Sequence, residues 1–389
     1  MRSLSDYVSR RALGVDASGI RKVFDLAAKM KDPINLSIGL PDFDVPDIAK
    51  AAAIDAIRSG HNRYTPTQGI EPLRTRLRAD LSKEIGRDIG EVLITSGVSG
   101  GLFLAILSIV DPGDEVIFMD PYFVMYTHLL TMAGGKAVPV DSYPDFKFPA
   151  DKIEAVITPR TKMLILNSPS NPTGVVMTEA EVKAAVEIAR KHDLLILSDE
   201  IYEPFLYKKG LSENAVDSPP SVLSPQSSVL SSPARLYDKT IILRGFSKSH
   251  AMTGWRIGYA AGPAEIISQM TKLQQYTYVC APSPLQHAAL KAMDVPMGDA
   301  VEAYRRKRDM AYEALRGTFE VVKPEGAFYI FPKVPAGTTA SEFVVKAIEN
   351  NVLVIPGNVF SGRDTHFRVS YATTDEKLVR GCEILCGLV

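Results

Sequence analysis

The sequence has 389 residues, of which 46% are hydrophobic and 23% are charged. This length exceeds that of one small core and the composition is that of a folded globular protein, which excludes disordered, collagen-like and disulfide-scaffold classes. The formal net charge is -1 and no long block of Lys or Arg occurs, which argues against a surface for nucleic acid or anionic membranes. We therefore expect small molecules as partners.

The cysteines and the apolar runs predict a cytoplasmic protein. Cys280, Cys382 and Cys386 are too few and too scattered for a disulfide framework, which indicates a reducing compartment. Cys382 and Cys386 would share one helix face, where packing is a commoner role than metal ligation, so we predict no metal site. The N-terminus lacks the apolar core of a signal peptide, and the longest apolar run, 102–110, is too short to span a membrane.

Between about residues 90 and 262, short β-rich runs alternate with helix-length amphipathic stretches. The runs are almost continuously apolar, which is typical of strands covered on both faces in the mostly parallel sheet of an α/β domain. Six runs have this pattern: Val92–Thr95, Glu115–Phe118, Met163–Leu166, Leu194–Leu197, Thr240–Leu243 and Ile257–Ala260. Thr178 with Glu181 three residues later predicts a capping box that opens a helix ending near His192. Functional residues are expected where the strands end.

Beyond residue 295 the pattern changes and predicts an α+β second domain. The expected elements are a helix over 298–317, strands at 328–331, 352–355 and 367–370, a helix over 340–350 and a terminal helix. We expect the first 45 residues to join this part. The predicted division is a large domain over 46–285 and a small domain formed by 1–45 and 286–389.

Residues 211–236 differ from their surroundings, because they hold eight Ser and four Pro in 26 positions. Such a polar, proline-rich segment is unlike the flanking strands and predicts a mobile surface insertion.

The stretch 245–259 follows a predicted strand and contains Lys248 with Arg256 eight residues later. A lysine at a strand end supplies an amine nucleophile, and a nearby arginine supplies an anion-binding guanidinium. Taken alone, these two residues in a glycine-flanked loop are more often surface charges. Asn171–Gly174 (Asn-Pro-Thr-Gly) and Ser198–Tyr202 (Ser-Asp-Glu-Ile-Tyr) end two further strands, at the edge where a parallel sheet places its functional groups.

Together these motifs resemble, in order and spacing, the pyridoxal-phosphate-dependent enzymes of fold type I, in the class I and II aminotransferase family. The resemblance covers nearly the whole chain, and further motifs that carry it are Ser37–Phe43, Tyr64–Gly69, Gly326–Tyr329 and Arg368–Tyr371. The run around Lys248 is most similar to that of prokaryotic aromatic and broad-specificity aminotransferases. The family implies a large domain with a mostly parallel seven-stranded sheet and a smaller α+β domain.

The resemblance also implies a role for each matching residue. Lys248 is expected to carry pyridoxal 5'-phosphate as a Schiff base and then to move a proton between substrate and cofactor. Asp199 is expected to keep the pyridine nitrogen protonated, because a nearby carboxylate favours the charged form. Asn171 and Tyr202 are expected to hydrogen-bond the phenolic oxygen of the cofactor.

The phosphate and substrate contacts follow in the same way. Arg256, Ser247 and the backbone of Gly97, Val98 and Ser99 at a helix N-terminus are expected to hold the phosphate. Tyr64 is expected to reach the phosphate of a partner subunit, which implies a homodimer with shared active sites. Phe123 is expected to stack on the cofactor ring, with Tyr122 as the competing candidate. Arg368 is expected to clamp the substrate carboxylate, assisted by Asn171 and Gly39.

Two departures from relatives bear on the chemistry. Many relatives have a hydroxyl where this chain has Gly245, so one phosphate contact is either missing or supplied by Ser247. Relatives that act on aspartate or prephenate place a lysine where this chain has Ser99. The expected donor therefore has an aromatic or other uncharged side chain, and the expected acceptor is a 2-oxo acid, with 2-oxoglutarate as the first choice.

Two other functions are consistent with the cofactor motifs. A carbon-sulfur lyase or another lyase of the same fold would share the cofactor residues and differ in the leaving group of its substrate. A catalytically silent ligand sensor would bind the cofactor without turnover, but known sensors of this type carry a DNA-binding domain, and the first 40 residues are too short and not basic enough for one. The segments 37–43 and 326–329 favour the aminotransferase.

Overall fold

A computed structural model describes residues 3–16, 19, 28, 30–207 and 232–389 of the chain. The strands are β1 (Ile34–Asn35), β2 (Glu91–Ser96), β3 (Glu115–Asp120), β4 (Lys136–Asp141), β5 (Thr161–Asn167), β6 (Leu195–Asp199), β7 (Thr240–Gly245), β8 (Ile257–Gly262), β9 (Tyr329–Ile330), β10 (Val352–Leu353), β11 (Ile355–Pro356) and β12 (Phe367–Ser370). The helices are α1 (Arg10–Leu13), α2 (Asp47–Arg58), α3 (Glu71–Ile85), α4 (Gly97–Ile109), α5 (Met125–Ala133), α6 (Ala150–Ala155), α7 (Glu179–Lys191), α8 (Phe246–Ser249), α9 (Ala264–Gln275), α10 (Ser283–Ala292), α11 (Gly298–Leu315), α12 (Ala340–Glu349) and α13 (Asp375–Gly387).

The largest sheet has seven strands in the order β2-β8-β7-β6-β5-β3-β4. Strand β8 runs antiparallel to β2 and β7, and the other neighbours in this sheet are parallel. The predicted mostly parallel seven-stranded sheet is therefore confirmed, and all six apolar runs form strands. The seventh strand, β4, was not among these runs, because it lies at the edge of the sheet, is mostly not buried and contains Pro139.

Helices cover both faces of this sheet, as its apolar strands require. In β2, Leu93 packs in one core cluster with Leu102 of α4, whereas Ile94 packs in another with Leu77 of α3. Alternating side chains therefore enter opposite layers. Helix α7 begins with the predicted capping box, since Thr178 Oγ1 accepts a bond from the Glu181 N–H at 3.2 Å and Glu181 Oε2 accepts one from the Thr178 N–H at 2.7 Å.

The C-terminal part of the chain forms smaller sheets covered by α11, α12 and α13. Strands β11, β12 and β9 form an antiparallel sheet, and β1 pairs in parallel with β10. The pairing of β1 with β10 supports the proposal that the first 45 residues belong to the small domain. The predicted boundary at residue 285 falls inside α10, which packs against α2 of the large domain. We propose the division predicted from the sequence, with the whole of α10 counted in the large domain.

Part of the predicted surface insertion is buried. Residues 211–231 lie outside the described residues, so the prediction of mobility remains a prediction there. Ser232 and Ala234 are fully buried, and Ser232 Oγ donates a 2.7 Å hydrogen bond to Glu200 Oε1. For residues 232 and 234 the prediction is wrong, because both side chains are packed in the interior, where Ser232 bonds a buried carboxylate.

No helix in the described part of the chain combines the length and the apolar character needed to cross a membrane.

Candidate active site

A cavity of about 340 Å³ opens where the parallel strands of the large sheet end. Its size is in the range of small-molecule sites, roughly 300–1,000 Å³. Asn167 and Asp199 are the last residues of β5 and β6, and Lys248 lies in the short helix α8 that follows β7. The predicted site residues that line this cavity are Gly39, Val98, Ser99, Phe123, Asn171, Asp199, Tyr202, Ser247, Lys248, Arg256 and Arg368.

The amine of Lys248 is bonded to the N-terminal part of the chain. Its Nζ atom donates a 2.6 Å hydrogen bond to the main-chain oxygen of Gly39. Removal from bulk water, together with the positive charges of Arg368 and Arg256, lowers the pKa of Lys248 to about 8. A much larger fraction of the amine is therefore neutral near pH 7.5 than for a lysine in water, as a nucleophile requires.

The Asp199 carboxyl group is 2% exposed and faces the cavity. Its Oδ2 atom accepts a 2.8 Å hydrogen bond from the Tyr126 hydroxyl, and its Oδ1 atom accepts a long one, 3.4 Å, from the Ile201 N–H. Burial raises the pKa of Asp199, and the bond from Tyr126 partly offsets this rise, which leaves the pKa at about 6. This buried carboxylate would gain free energy from a cation placed against it.

Two asparagines connect Asp199 to the opposite wall of the cavity. Asn167 Nδ2 donates to the main-chain oxygen of Asp199 at 3.0 Å, and Asn167 Oδ1 accepts from the Asn171 N–H at 2.9 Å. Asn171 Oδ1 in turn accepts a 2.9 Å bond from Arg368 Nη1. Arg368 is 1% exposed although it lies in the strand β12. The asparagines therefore link the backbone of Asp199 to the guanidinium of Arg368.

The guanidinium of Arg368 is suited to an anion. It is stacked between the rings of Tyr329 and Phe360, with its central carbon 4.4 Å and 4.7 Å from their centroids. Its Nη2 atom donates to the main-chain oxygen of Ser37 at 2.6 Å, and its Nε atom has no hydrogen-bond partner among the described residues. Burial lowers the pKa of Arg368, since no carboxylate compensates for its charge. A carboxylate ligand would provide this compensation.

At the other end of the cavity, an arginine lies beside the start of a helix. Gly97 begins α4 with φ +65°, and a Cβ atom there would lie 2.5 Å from Arg256 Nη2. Arg256 is held by bonds from Nη1 to the Thr253 oxygen at 3.1 Å and from Nη2 to the Ser96 oxygen at 3.4 Å. The guanidinium thus lies beside the N-terminus of a 13-residue helix, where backbone N–H groups and the helix dipole favour an anion.

Close packing against β8 explains the glycine at position 245. A Cβ atom on Gly245 would approach the Cα atom of Gly258 to 2.9 Å. A residue with a hydroxyl side chain therefore does not fit without a shift of β8. Ser247 lines the cavity, as do Ser99 and Thr253, so hydroxyl groups are present there although position 245 has none.

The rings of Phe123 and Tyr122 have different surroundings. Phe123 lines the cavity, whereas Tyr122 packs edge-on against Phe118, with ring centroids 5.0 Å apart. The position of Phe123 supports its predicted role over that of Tyr122. Tyr64 is 82% exposed and is not among the residues that line the cavity of its own chain.

Several cavity residues were not predicted as site residues. Asn167 follows the apolar run 163–166 directly, so the rule that function lies at strand ends could have identified it. Tyr126 does not line the cavity itself but bonds Asp199 from within a helix, where its position carries no sequence signal.

Tyr329 lines the cavity and ends the motif 326–329, which the sequence indicated without assigning Tyr329 a role in the site. The Tyr329 hydroxyl shares a 2.8 Å hydrogen bond with the Tyr202 hydroxyl, so it fixes a predicted site residue. No group of three or more His, Cys, Asp or Glu side chains suited to a metal occurs in the described part.

The similarities to known proteins agree with this arrangement. A sequence model of the family "Aminotransferase class I and II" matches residues 31–385. The aspartate aminotransferase of Pyrococcus abyssi is 37% identical over 94% of this chain and 93% of its own length. Aromatic-amino-acid aminotransferase 2 of Thermococcus litoralis is 36% identical over 95% of both chains. The solved structure of Thermus thermophilus aspartate aminotransferase with maleate is 34% identical, covers 100% of both chains and has a TM-score of 0.90.

The match therefore extends over nearly the whole chain, in sequence and in fold, and includes both the sheet and the C-terminal elements that form the cavity. The chain belongs to the class I and II aminotransferase family, and it is a transaminase.

Proposed function

We propose that this transaminase uses pyridoxal 5'-phosphate bound covalently to Lys248. It moves an amino group from an L-amino acid, with aromatic or other uncharged side chains favoured, to a 2-oxo acid, with 2-oxoglutarate as acceptor. The observation that carries the proposal is that one cavity brings together the amine of Lys248, the carboxyl group of Asp199 and the guanidinium groups of Arg256 and Arg368. Each meets a different part of the cofactor and substrate.

The residues of the cavity fit this cofactor. Arg256, Ser247 and the start of α4 would hold the phosphate, and Asp199 would face the pyridine nitrogen. Asn171 and Tyr202 would contact the phenolic oxygen, and Phe123 would lie on the ring face. When bound, pyridoxal phosphate supplies an aldehyde that joins to amines and a conjugated ring that accepts electrons from the substrate.

The chain's own side chains perform the remaining tasks. Arg368 would bind the substrate carboxylate through its donors, helped by Asn171 and the backbone at Gly39. Once displaced by the substrate amine, the Lys248 amine would carry a proton to and from the reacting carbon, and its lowered pKa suits that task near neutral pH. The deeply buried Asp199 would hold the ring nitrogen in its protonated form.

The proposed donor preference is supported by the charges around the cavity. Among the described residues that line it, the cations are Lys248, Arg256 and Arg368, and each already has a role. The remaining wall includes Ile38, Leu40 and Ser99, which offer no positive charge to a second carboxylate. A dicarboxylate donor would leave one charge poorly paired, at a cost of roughly 1–3 kcal/mol. The second carboxylate of 2-oxoglutarate meets the same wall, so as acceptor it must pair with solvent or with an arginine that does not line this cavity. The Thermococcus relative is named for aromatic amino acids, which is consistent with this preference.

We also propose a homodimer with shared active sites, in a cytoplasmic location. Tyr64 is exposed and does not line the cavity of its own chain, which leaves its side chain available to a second copy. The three cysteines are all unpaired, which supports a reducing compartment.

Two measurements test the proposal. Borohydride reduction of the chain loaded with pyridoxal 5'-phosphate, followed by peptide mass mapping, should place the label on Lys248, and a label on another lysine would contradict it. Amino acids from a panel should be turned over repeatedly only when a 2-oxo acid is present. Release of pyruvate and ammonia without a 2-oxo acid would instead identify a lyase.

A further inference from the structure

We infer that Gln274 and Gln286 are positioning residues, whose buried amides hold residues 64–70 so that Tyr64 is presented to the phosphate site of a second copy of the chain. Residues 64–70 are called the presenting loop below. The inference rests on the proposed function, in which Tyr64 contacts a phosphate bound by the partner. Beyond that function, the inference identifies the residues that fix the position of Tyr64.

Gln286, in α10, holds both ends of the presenting loop. Its Oε1 atom accepts a 2.8 Å hydrogen bond from the Ile70 N–H, at the end of the loop. Its Nε2 atom donates to Thr65 Oγ1 at 3.2 Å, next to Tyr64, and to the main-chain oxygen of Ala281 at 2.8 Å. One side chain thus joins the beginning and the end of the loop to the start of a helix.

Gln274, in α9, holds the middle of the loop. Its Nε2 atom donates to the main-chain oxygen of Thr67 at 2.6 Å and to that of Ile94 at 3.0 Å. The Ile94 N–H in turn donates to the Gln68 oxygen at 2.9 Å. Because Ile94 lies in β2, just before Gly97, the loop is fastened to the strand that leads into the phosphate end of the cavity.

Burial distinguishes these amides from ordinary surface contacts. Gln274 and Gln286 are both 0% exposed, and a buried amide costs free energy unless hydrogen bonds replace its water. Gln274 Oε1 has no partner among the described residues, so burying this oxygen costs free energy that no hydrogen bond offsets, although the Nε2 atom makes two bonds. A simple apolar contact would hold the helices together without that cost. The amides therefore fix the backbone of the loop rather than only fill the core.

Precise placement is what the proposed role of Tyr64 requires. Tyr64 is 82% exposed, so its own side chain receives little support from packing. A hydrogen bond across an interface depends on positions held to within about 0.5 Å, which only a rigid support supplies. In a two-fold dimer, each presenting loop contacts the phosphate site of the other subunit. Because the loop is fixed to β2, the position of Tyr64 relative to its own subunit is fixed as well.

The test measures binding of pyridoxal 5'-phosphate and of pyridoxal, which lacks the phosphate, by quenching of the fluorescence of Trp255, the single tryptophan. The variants are Tyr64→Phe, Gln286→Met, Thr65→Val and the two double variants with Tyr64→Phe. Thr65→Val removes the acceptor for Gln286 at a partly exposed position, so it carries the test if Gln286→Met does not fold. Ser268→Ala on α9, an exposed residue bonded only to its own helix, is the control. Sedimentation velocity at the same concentrations must give one mass for all variants.

Loss of a bond to a charged phosphate should weaken binding of pyridoxal 5'-phosphate by Tyr64→Phe about tenfold or more and leave pyridoxal binding unchanged. Gln286→Met and Thr65→Val should each show a smaller loss, again for the phosphate form alone, and neither should weaken binding further in the Tyr64→Phe background. Losses that multiply in the double variants, or that affect pyridoxal equally, would overturn the positioning role while leaving the proposed function intact. An unchanged affinity in Tyr64→Phe would instead refute the shared phosphate site, and the inference with it.

Discussion

The Lys248 amine and the Gly39 carbonyl meet at 2.6 Å, although 209 residues separate them in the chain. Gly39 is required at this contact, since a Cβ atom there would lie 1.9 Å from the Tyr329 hydroxyl oxygen. The same N-terminal segment accepts a 2.6 Å bond from Arg368 at Ser37. The segment 37–39 therefore contacts both the proposed nucleophile and the proposed carboxylate clamp.

The first prediction concerns the reactivity of Lys248. Because the pKa of Lys248 is lowered to about 8, the rate of covalent loading of the cofactor-free chain should rise with pH around a midpoint near 8. An ordinary lysine would show a midpoint near 10.4. The rate is followed by the visible absorbance of the adduct. Lys248→Ala should abolish that absorbance and turnover, whereas Lys272→Ala, on the exposed face of α9, should keep both. Near-normal activity of Lys248→Ala would refute the central claim.

The second prediction is a stability change at Asp199. Its pKa in the folded chain, about 6, lies above the ordinary value of 3.8, so the folded state binds more protons than the unfolded state between pH 4 and 6. Stability from this group is therefore lost as the pH rises through that window and stays low above it. Asp199→Asn keeps an acceptor for Tyr126 and removes the charge. The free energy of unfolding of the cofactor-free variant, relative to wild type, should increase by about 2 kcal/mol between pH 4 and pH 7.

Urea unfolding at several pH values measures this difference. A stability gain that does not change between pH 4 and pH 7 would mean that Asp199 is already ionised at low pH. The variant should also lose most of its catalysis, because an amide does not hold a protonated ring nitrogen as a carboxylate does. Stability and activity would then change in opposite directions, as is common at functional sites.

The third prediction concerns Arg368. Replacement by Met keeps much of the volume between the Tyr329 and Phe360 rings but removes every donor. The KM values for amino acid and 2-oxo acid should rise together, by roughly 10-fold to 100-fold, since hydrogen bonds to charged groups contribute about 1.5–3 kcal/mol. Arg363→Ala, which removes the bridge to Asp141 at 2.9 Å outside the cavity, is the control. Unchanged KM values in Arg368→Met would assign the clamp to another residue.

The sequence predicted the sheet and most of the cavity because both depend on local patterns. Continuous apolar runs indicated six strands, and motifs at the strand ends indicated Asn171, Asp199 and Lys248. It did not indicate β4, whose mixed exposure at a sheet edge gives no clear period. The sequence also did not indicate Tyr126, because the role of this helical tyrosine depends on its contact with Asp199, which lies 73 residues away in the chain.

The buried end of the serine-rich segment shows the same limit. Composition predicted one exposed segment over 211–236, but composition does not show which residues meet a buried charge. Ser232 bonds Glu200, and Glu200 pairs with Arg244 at 2.7 Å in a site where all three side chains are buried. Long-range pairing of this kind depends on tertiary structure and leaves no mark in the local sequence.

The fourth prediction follows from this contact. Ser232→Ala removes a donor to the Glu200 carboxylate and should lower the free energy of unfolding by about 1.5–3 kcal/mol. Ser268→Ala, an exposed serine on α9, should change it by less than about 0.5 kcal/mol. Urea titration of the two variants measures the difference. A cost as small for Ser232→Ala as for the control would mean that Ser198, which also donates to Glu200 Oε1 at 2.7 Å, is sufficient alone.

The last prediction concerns the choice of donor and depends on Ser99. This residue lies in the first turn of α4 at the cavity wall, where relatives that act on aspartate or prephenate have a lysine. Wild-type kcat/KM should be higher for phenylalanine and methionine than for aspartate, because the described cavity residues offer the second carboxylate no free cation. Ser99→Lys should raise kcat/KM for aspartate relative to phenylalanine by roughly 5-fold to 100-fold, which corresponds to about 1–3 kcal/mol.

Ser99→Met, with a side chain of similar length and no charge, separates the effect of charge from that of size. It should leave the ratio of aspartate to phenylalanine low, since both variants fill the same space and differ only in the cation. The positive end of the helix dipole at α4 opposes a lysine there, which reduces the gain for aspartate. The gain should be largest at low salt, where the attraction between the lysine and the second carboxylate of aspartate is least screened. A clear lead of aspartate in the wild-type enzyme would refute the argument from Ser99 and require a cation from outside the described residues or from a second subunit.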